Sequence, residues 1–458
     1  MPPRPRIAPD LLARYGGPLP RYTSYPPVPR WREDFGEAGV RAALERADQE
    51  PETPFDLYVH LPFCRRRCLF CACNVVLGQK PEVVEDYLDR LERNLERILQ
   101  HLPRRRRLGA LHWGGGTPSH LSPVQWRRLH GLLRRHFDFA AIEEQSVEIH
   151  PTVTTPEQIR TLRDLGFDRL SLGVQDVDPG VQALVERHQT VEETEACLDL
   201  ARSLGFRSVN FDLIYGLPGQ SSRTWEATLR ETLRLRPDRI AVYAFAWVPW
   251  MHRHQRRMLE ERLPSPDDRA WFQERARQRF TAAGYVEVGF DHYALPDDPL
   301  GRAAREGCVH RNFMGFTDRP ARDWLGLGMS AISRMAGSWW QDEPKLGRWN
   351  EAVDAGRLAA ARGWTWNEDD RLRAGILEEI LCNLQLDLKR VEAEAGRPFD
   401  EAFPGVRQQL RSMETDGLLI LGEDGLRITT LGRPFARAVA ALFDAWREEG
   451  DGRYSRVV

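Results

Sequence analysis

The sequence predicts an α/β protein: an incomplete barrel of six βα units, with an N-terminal arm before it and a mainly helical C-terminal domain after it. Two observations predict this fold. Short apolar segments alternate with amphipathic helical segments from about residue 56 to residue 246. From about residue 367, long helical segments replace that alternation. A chain of 458 residues is long enough for one large and one smaller domain.

We expect three regions: an arm with a lead-in helix in residues 1–55, the barrel with its extensions in residues 56–360, and a helical domain in residues 361–458. The predicted barrel strands are 57–61, 109–113, 146–149, 170–174, 209–214 and 240–245. The predicted helices are 81–102, 123–137, 156–165, 191–204 and 222–235. Ser122 and Thr155 each precede a proline, which is the usual pattern of a capping residue before the first helical position. Six such units would leave a barrel open on one side, wide enough to admit a large substrate.

Beyond the barrel, the pattern is less regular. It predicts a helix at 266–283, one strand at 285–293, a turn-rich insertion at 310–317 and an apolar, glycine-containing segment at 325–332. The four arginines at 104–107 are expected to form a solvated loop. Two short strands around Glu423-Asp424-Gly425 predict a hairpin, which with the preceding helices resembles a winged-helix layout. No basic recognition helix is evident, so we expect a structural role for this domain.

Composition excludes several functional classes. The net charge of −2 argues against general nucleic-acid binding, which needs a basic surface. No segment approaches the length of a membrane span, and the N-terminus has no apolar leader segment. Seven cysteines, with four of them clustered, do not form the pattern of a disulfide framework. We therefore expect a soluble cytoplasmic enzyme. A monomer is also expected, although nothing in these patterns determines the oligomeric state.

The clustered cysteines directly follow the first predicted strand: Cys64, Cys68, Cys71 and Cys73. Their spacing allows one looped turn to direct the first three thiolates at one centre, whereas Cys73 is poorly placed to complete a tetrahedron. Structural zinc sites usually hold two separated pairs of ligands. Three thiolates suit a cubane iron–sulfur cluster with one open iron. A zinc knot and unligated core cysteines remain the alternatives.

This run resembles the signature of the radical S-adenosylmethionine (SAM) superfamily, CxxxCxxC with an aromatic residue, here Phe70, before the third cysteine. The resemblance implies a radical SAM barrel with a [4Fe–4S] cluster on Cys64, Cys68 and Cys71. In that superfamily the open iron binds SAM, and one electron from the cluster cleaves SAM to a 5′-deoxyadenosyl radical. Cys73 narrows the resemblance to the oxygen-independent coproporphyrinogen III oxidase family. Beyond the cluster and SAM, the resemblance offers Cys73 as the one candidate catalytic residue.

The resemblance also assigns SAM-binding residues. Consecutive glycines after the second strand allow close approach of a ligand to the backbone, and Gly115, Gly116 and Thr117 take the place of the family's contact with the SAM amino group. A flexible turn is the alternative for this segment. The remaining assigned residues lie at or near the ends of strands: Tyr58, Phe70, Glu148, Gln175, Arg187, Asp212, Ala246 and Ile332. Carboxylates suit ammonium or hydroxyl groups, arginine suits a carboxylate, and apolar residues suit adenine. The family is thought to bind two SAM molecules, and this set would serve both.

The implied reaction is oxidative decarboxylation of coproporphyrinogen III to protoporphyrinogen IX in haem biosynthesis, with the radical abstracting propionate β-hydrogens. A haem chaperone and an anaerobic haem-degrading radical SAM methyltransferase of the same family are the alternatives. Cys73 and the segment Arg21-Tyr-Thr-Ser-Tyr-Pro26, which resembles the family's arm over the active site, favour the biosynthetic enzyme. A one-electron donor such as flavodoxin is implied, and Arg65 to Arg67 could dock it. The sequence departs from the family at His150, Thr152 and Glu186.

Overall fold

The computed structural model describes residues 8–320, 323–447 and 454, and it confirms the α/β class. Its strands are β1 (Phe55–Leu61), β2 (Phe63–Cys64), β3 (Val76–Leu77), β4 (Leu108–Gly115), β5 (Glu144–Ile149), β6 (Arg169–Gln175), β7 (Ser208–Tyr215), β8 (Arg239–Ala244), β9 (Val286–Val288), β10 (His292–Ala294), β11 (His310–Asn312), β12 (Gly315–Thr317), β13 (Trp324–Leu327), β14 (Ile332–Met335), β15 (Ser338–Asp342), β16 (Ala360–Thr365), β17 (Gln385–Asp387), β18 (Leu419–Leu421) and β19 (Gly425–Ile428).

The helices alternate with the barrel strands and then dominate the C-terminal part. They are α1 (Pro9–Tyr15), α2 (Gly36–Ala47), α3 (Pro81–Leu99), α4 (Pro123–His136), α5 (Pro156–Asp164), α6 (Pro179–Leu184), α7 (Val191–Ser203), α8 (Ser222–Leu235), α9 (Pro266–Ala282), α10 (Pro299–Glu306), α11 (Leu346–Asp354), α12 (Glu368–Asn383), α13 (Leu388–Ala395), α14 (Phe399–Ala402), α15 (Val406–Thr415) and α16 (Ala436–Ala440).

The six predicted barrel strands are confirmed as β1, β4, β5, β6, β7 and β8, which pair in this order and are all parallel. The predicted helix starts are also confirmed. Ser122 and Thr155 each accept a hydrogen bond from the backbone N–H three residues later, and the glutamine at that position bonds back to the cap. These capping boxes satisfy backbone donors that a helix leaves unpaired at its first turn.

The described sheet continues beyond the barrel at both edges, which the sequence did not predict. The segment expected at 325–332 supplies β13, which lies parallel to β1, and β14, β15 and β16 follow it as antiparallel strands. At the other edge, β10 and β9 lie antiparallel beyond β8. The strand order therefore runs from β16 to β9, and this sheet forms an open barrel.

The single strand predicted at 285–293 is wrong. The chain instead makes the hairpin β9–β10, which turns at Gly289 with a φ of +55°. A Cβ atom at Gly289 would lie 2.2 Å from Cζ of Phe316, so both the turn and the packing require glycine.

The expectation of a solvated loop at 104–107 is wrong for Arg105. Its side chain is 1% exposed and its Nη1 donates to Asp323 at 2.7 Å, while Nε donates to the Thr53 carbonyl at 2.8 Å. Arg104 lies nearer the surface and pairs with Asp48 at 2.9 Å. A guanidinium with five donors can join several carbonyl and carboxylate groups at once, and here it ties the start of β1 to the segment before β13.

The C-terminal helices form a second apolar core, and the N-terminal arm belongs to it. Tyr22 and Tyr25 are 8% and 3% exposed and pack in the same cluster as α12, α15 and α16. The Tyr22 hydroxyl donates to Asp444, and Trp366 donates to the Tyr25 carbonyl. The hairpin predicted around Glu423 to Gly425 is formed by β18 and β19, with β17 as a third strand. The three-region division of the chain stays a prediction.

Parts of the three predicted regions lie outside the described residues: 1–7 in the arm, 321–322 in the barrel extension, and 448–453 and 455–458 in the C-terminal domain. Within the described helices, no segment is long and apolar enough to cross a membrane.

Replacing Arg105 with methionine should lower the free energy of unfolding by about 3–5 kcal/mol, because Asp323 and buried carbonyl groups would lose their partner. Arg107→Met is the matched control, since Arg107 is 41% exposed and its partner Glu52 is 86% exposed. That change should stay within about 1 kcal/mol. Urea unfolding followed by tryptophan fluorescence measures both, and equal shifts of the two midpoints would contradict the structural role of Arg105.

Candidate active site

The four clustered cysteines lie in a loop at the carboxyl end of β1, where the chemistry of βα barrels is usually found. Hydrogen bonds from three directions hold this loop. The Leu69 N–H donates to the Val185 carbonyl at 2.9 Å, and the Gly78 N–H donates to the Cys64 carbonyl at 3.0 Å. His254 Nε2 donates to the Cys71 carbonyl at 2.7 Å. The segments after β6 and β8 thus fix the loop that follows β1.

The thiols of Cys64, Cys68 and Cys71 converge. Burial raises the pKa of Cys64 to about 11, and interaction with the other two thiols contributes to the rise. Burial also raises the pKa of Cys68, although Arg187 approaches its sulfur at 3.8 Å and acts in the opposite direction. A metal centre removes the protons of such thiols on binding. The donor set therefore consists of three neighbouring, half-buried thiols.

Cys73 lies against Cys71. The Cys73 N–H donates to the Cys71 sulfur at 3.4 Å, and the two thiols are also hydrogen-bonded, so the pKa of Cys71 is lowered. The Cys64 sulfur lies 3.3 Å from the Thr117 hydroxyl. Cys73 and Thr117 therefore lie next to the three-thiol set and can donate hydrogen bonds to its sulfur atoms.

The arrangement does not match a single-ion site. Among the described residues, no three histidine, cysteine, aspartate or glutamate side chains are gathered closely enough to hold one metal ion. An iron–sulfur cube is larger than one ion, and its cysteine ligands stand correspondingly farther apart.

Neighbouring residues pack so closely against Gly115 and Gly116, the glycine run at the end of β4, that a side chain would not fit there. A Cβ atom on Gly115 would lie 2.6 Å from the His60 ring, and one on Gly116 would lie 2.5 Å from the Pro62 carbonyl oxygen. Gly115 also has a φ of +117°, which is open to glycine. The Gly116 and Thr117 N–H groups donate to the Leu61 and Phe63 carbonyls. The run is therefore pressed against the cysteine loop.

Glu148 lies at the end of β5, facing the barrel lumen. The Gly115 N–H donates to its Oε2 at 3.2 Å, and His112 Nε2 lies 3.4 Å from its Oε1. Burial alone would raise the pKa of Glu148, but these two donors hold it below the ordinary value. A carboxylate that stays ionised and keeps 44% of its side chain accessible can accept hydrogen bonds from a bound ligand.

Asp212 shares this lumen. Its carboxylate accepts from the Ser171 hydroxyl at 3.0 Å and from the Asn210 amide at 2.9 Å. Burial, together with the charge of Glu148, raises the pKa of Asp212 to about 6. Both carboxylates line a lumen cavity of about 130 Å³. The barrel interior thus presents two carboxylates whose pKa values are shifted in opposite directions.

Tyr58 and His60 connect β1 to the cluster loop. The Tyr58 hydroxyl lies 2.9 Å from His60 Nδ1, and His60 Nε2 donates to the Asn74 carbonyl at 3.1 Å. Burial lowers the pKa of His60 to about 4, so this histidine is neutral. The Ser330 hydroxyl lies 3.3 Å from the same Nε2. His60 therefore joins the cysteine loop to the turn before Ile332, which is 5% exposed.

Arg187 lies beside the cluster loop and not in the lumen cavity. Its guanidinium donates hydrogen bonds to the Gly173 carbonyl of β6 and to the Gln189 side chain, and it approaches Cys68.

The other predicted site residues lie in separate places. Gln175 ends β6 with a φ of +66°. Ala246 follows β8 and is held through its carbonyl by Gln255. Phe70 packs at the edge of an apolar cluster that contains Leu69 and Phe245.

Several lumen residues were not among those predicted from the sequence. His112, Ser171 and Asn210 lie on the inward face of their strands and bond directly to Glu148 or Asp212. Polar residues at alternate positions of otherwise apolar strands were the available signal. Tyr243 and Met314 also line the cavity. Met314 lies between β11 and β12, and no local pattern indicated that this hairpin enters the lumen.

Comparisons with known proteins agree with the geometry. Residues 58–232 match the radical SAM superfamily, and residues 367–435 match the HemN C-terminal domain. The oxygen-independent coproporphyrinogen III oxidase of Pseudomonas aeruginosa is 39% identical over 98% of both chains. The Escherichia coli enzyme of that name is 38% identical over 98% of both chains. A solved structure of coproporphyrinogen III oxidase (HemN) from Escherichia coli, described as a radical SAM enzyme, aligns with a TM-score of 0.89 at 38% identity, covering 93% of this chain and 98% of that one.

The chain belongs to the oxygen-independent coproporphyrinogen III oxidase family. As a member of the radical SAM superfamily, it uses a [4Fe–4S] cluster and SAM. The three convergent thiols fit such a cluster, since they supply three ligands and leave one iron open.

The family departures lie outside the lumen cavity. The Thr152 N–H and hydroxyl lie 3.3 and 3.0 Å from His150 Nδ1, so these two residues close a turn on each other. Burial lowers the pKa of His150 to about 3, which keeps it neutral. Glu186 pairs with Arg257 at the surface. None of the three lines the lumen cavity.

Replacing Cys64, Cys68 or Cys71 with serine should each abolish the iron–sulfur absorption band and SAM cleavage, because three ligands leave none in reserve. Cys73→Ser should keep most of the iron, since serine can still donate to Cys71. Iron and sulfide content and visible absorbance after anaerobic reconstitution measure both. Loss of the cluster in Cys73→Ser as complete as in Cys68→Ser would show that Cys73 is a ligand.

Proposed function

We propose that the protein converts coproporphyrinogen III to protoporphyrinogen IX without oxygen, by oxidative decarboxylation of the propionates on rings A and B. The observation that carries this proposal is the end-to-end similarity to coproporphyrinogen III oxidases, over 98% of both chains. Cys73 and the arm at Arg21 to Pro26, both present here, favour this activity over haem transfer or methyl transfer. When bound, the cluster and SAM would supply one electron and a radical that removes a hydrogen atom from the propionate β-carbon. Loss of carbon dioxide and of one further electron to an acceptor would then leave the vinyl group.

The lumen residues would bind and orient SAM. Gly115, Gly116 and Thr117, half-buried beside the cluster loop, would contact the amino group, and Glu148 would accept hydrogen bonds from hydroxyl groups. Arg187, beside Cys68, would attract a carboxylate near the cluster. The other residues that we propose for SAM binding are Tyr58, Phe70, Gln175, Asp212, Ala246 and Ile332. Carboxylates, arginine and apolar side chains in one set support binding of two SAM molecules.

The open barrel must exclude water from a radical reaction. We propose that the arm and the hairpin formed by β11 and β12 do so, because Met314 lines the lumen and the Arg21 guanidinium donates to the Ala244 carbonyl at the end of β8 at 2.7 Å. A cluster with an open iron also requires a reducing compartment, which supports a cytoplasmic location. We propose that the protein acts as a monomer.

We also propose that a small acidic one-electron carrier of the flavodoxin type docks beside the cluster loop. Arg65 and Arg66 are exposed between the cluster cysteines. Leu77, Trp250 and Met251 are 41%, 54% and 58% exposed, and hydrogen bonds at Gly78 and His254 hold their segments against the same loop. Exposed apolar side chains with basic neighbours are typical of a docking surface for an acidic protein.

The activity is tested by incubating anaerobically reconstituted protein with SAM, reductant and coproporphyrinogen III. The oxidised products are then separated as porphyrins. Protoporphyrin IX, formed with consumption of SAM, is the expected result. SAM cleavage with no vinyl product at any substrate concentration would refute the proposal.

The same assay tests the docking surface. Arg65→Glu and Arg66→Glu should slow turnover driven by reduced flavodoxin about tenfold or more at low salt, because the steering charge is reversed. Dithionite-driven turnover should stay unchanged. Arg427→Glu, an exposed position in the C-terminal hairpin, is the control. Equal losses with both reductants would reject docking at this surface.

SAM binding should weaken as the pH falls through about 6, because Asp212 then takes up a proton and a cationic ligand loses a carboxylate partner. Asp212→Asn should lower the affinity at pH 7.5 by about tenfold and remove most of this pH dependence. Glu148→Gln should keep the dependence but move its midpoint to lower pH, because the Glu148 charge raises the pKa of Asp212. Equilibrium dialysis at pH 5 to 8 measures all three proteins, and an unchanged profile in Asp212→Asn would exclude Asp212 as the titrating group.

A further inference from the structure

A second cavity, of about 390 Å³, lies outside the barrel lumen. It is formed where four parts of the chain meet: the arm at Tyr22 to Tyr25, the β11 strand, the β14–β15 pair and helix α12. Nothing in the reaction as described so far uses this cavity. Its volume lies at the lower end of the range usual for ligand sites, so it suits one part of a large ligand.

The lining of this cavity is cationic. His310, Arg311, Arg334 and Arg371 face it, and Glu378 is the carboxylate that also lines it. His310 Nδ1 lies 3.1 Å from Glu378, so that carboxylate is already engaged. Three arginines therefore give the cavity an excess of positive charge.

Two of these arginines are poorly solvated. Burial lowers the pKa of Arg311 and of Arg334, which means that their charged forms lack part of the stabilisation that water gives. The Arg311 Nη1 donates to the Arg21 carbonyl at 2.7 Å, but its buried Nε has no hydrogen-bond partner among the described residues. A bound anion would supply the missing stabilisation.

The same cavity has aromatic walls. Trp339 and Trp366 line it together with Tyr22 and Tyr25. The guanidinium of Arg334 lies 5.7 Å from the Trp339 ring centroid and 5.8 Å from the Trp366 ring centroid. Aromatic faces beside guanidinium groups match a flat heteroaromatic ring that carries a carboxylate side chain.

Only one hairpin separates this cavity from the lumen. The Arg311 guanidinium lies 5.3 Å from the Phe316 ring centroid, and Phe316 lines the lumen cavity. On the other side, Trp339 packs in one apolar cluster with Ile332. A ligand larger than the cavity could therefore keep one edge here while another edge reaches towards the lumen.

We propose that this cavity binds a propionate-bearing edge of the tetrapyrrole that is not undergoing decarboxylation, with Arg311 and Arg371 as its carboxylate partners. The inference rests on the proposed function and adds to it the residues that anchor a polycarboxylate substrate. Arg311 holds the inner end of the cavity, and Arg371, which is exposed in the first turn of α12, lies at the solvent side.

Arg371→Gln and Arg311→Gln should each raise the KM for coproporphyrinogen III about tenfold, the usual effect of losing one charged hydrogen bond, while kcat changes by less than about twofold. SAM cleavage without substrate should be unchanged. Arg427→Gln, an exposed arginine of the same C-terminal region, is the matched control and should leave KM unaltered. Arg371 is exposed, so its variant decides the matter if Arg311→Gln fails to fold.

A binding measurement separates this inference from the proposed function. Coproporphyrin III, the stable oxidised form, should quench tryptophan fluorescence through Trp339 and Trp366, and Arg371→Gln should weaken its binding about tenfold. The tetramethyl ester, which lacks the carboxylate charges, should bind the unmodified protein and Arg371→Gln equally. The inference would be overturned if Arg371→Gln had the same KM as the unmodified protein and the same ratio of affinities for coproporphyrin III and its tetramethyl ester. That result would leave the proposed decarboxylation intact. Absence of decarboxylation in the unmodified protein would instead count against the proposed function.

Discussion

The structure depends on keeping a barrel lumen open and polar. A closed βα barrel fills its interior with layers of apolar side chains. In this barrel, paired charged side chains lie at the strand starts instead. Arg169 Nη1 lies 2.7 Å from Glu144, and Arg239 Nε lies 2.7 Å from Asp298. Burial would raise the pKa of Glu144, but Arg169, Arg239 and Arg319 hold it well below the ordinary value. Such pairs add little net stability, but a charge left alone there would be strongly destabilising. The ion pairs at the strand starts thus permit a hydrophilic space below the strand ends, where Glu148 and Asp212 lie.

Local patterns predicted the parts of the fold that are local. The barrel strands and their helices repeat with periods of two and about 3.6 residues, and Ser122 and Thr155 mark helix starts by their own chemistry. The parallel pairing of β13 with β1 joins segments far apart in the chain, and no short-range signal encodes it. Arg105 shows the same limit, because its partner Asp323 is distant in sequence and the arginine run gave no sign of burial. The candidate site also has one part that local spacing predicts and another that it does not. The cysteine loop could be read from spacing, whereas the entry of Met314 into the lumen depends on tertiary packing.

His60 contacts several segments that the sequence identifies, through tertiary contacts that the sequence does not reveal. Its ring is held neutral by burial, and it contacts the Tyr58 hydroxyl, the Asn74 carbonyl and the Ser330 hydroxyl. It also lies where a Cβ on Gly115 would be. One side chain therefore sets the distance between the glycine run, the cysteine loop and the turn before Ile332. Each of these segments is recognisable in the sequence, but their common contact is not.

The two surfaces proposed to receive partners are built from different parts of the chain. The segments after β1 and β8 form the surface beside the cluster, whereas the arm, β11, β14, β15 and α12 form the cationic cavity. The arm is fixed to the C-terminal domain at both tyrosines: Tyr22 donates to Asp444, and the Tyr25 hydroxyl accepts from the Ala445 N–H. Any movement that widens the cavity on the arm side must therefore carry residues near both ends of the chain with it. The cysteine loop is tied to Val185 and His254 instead.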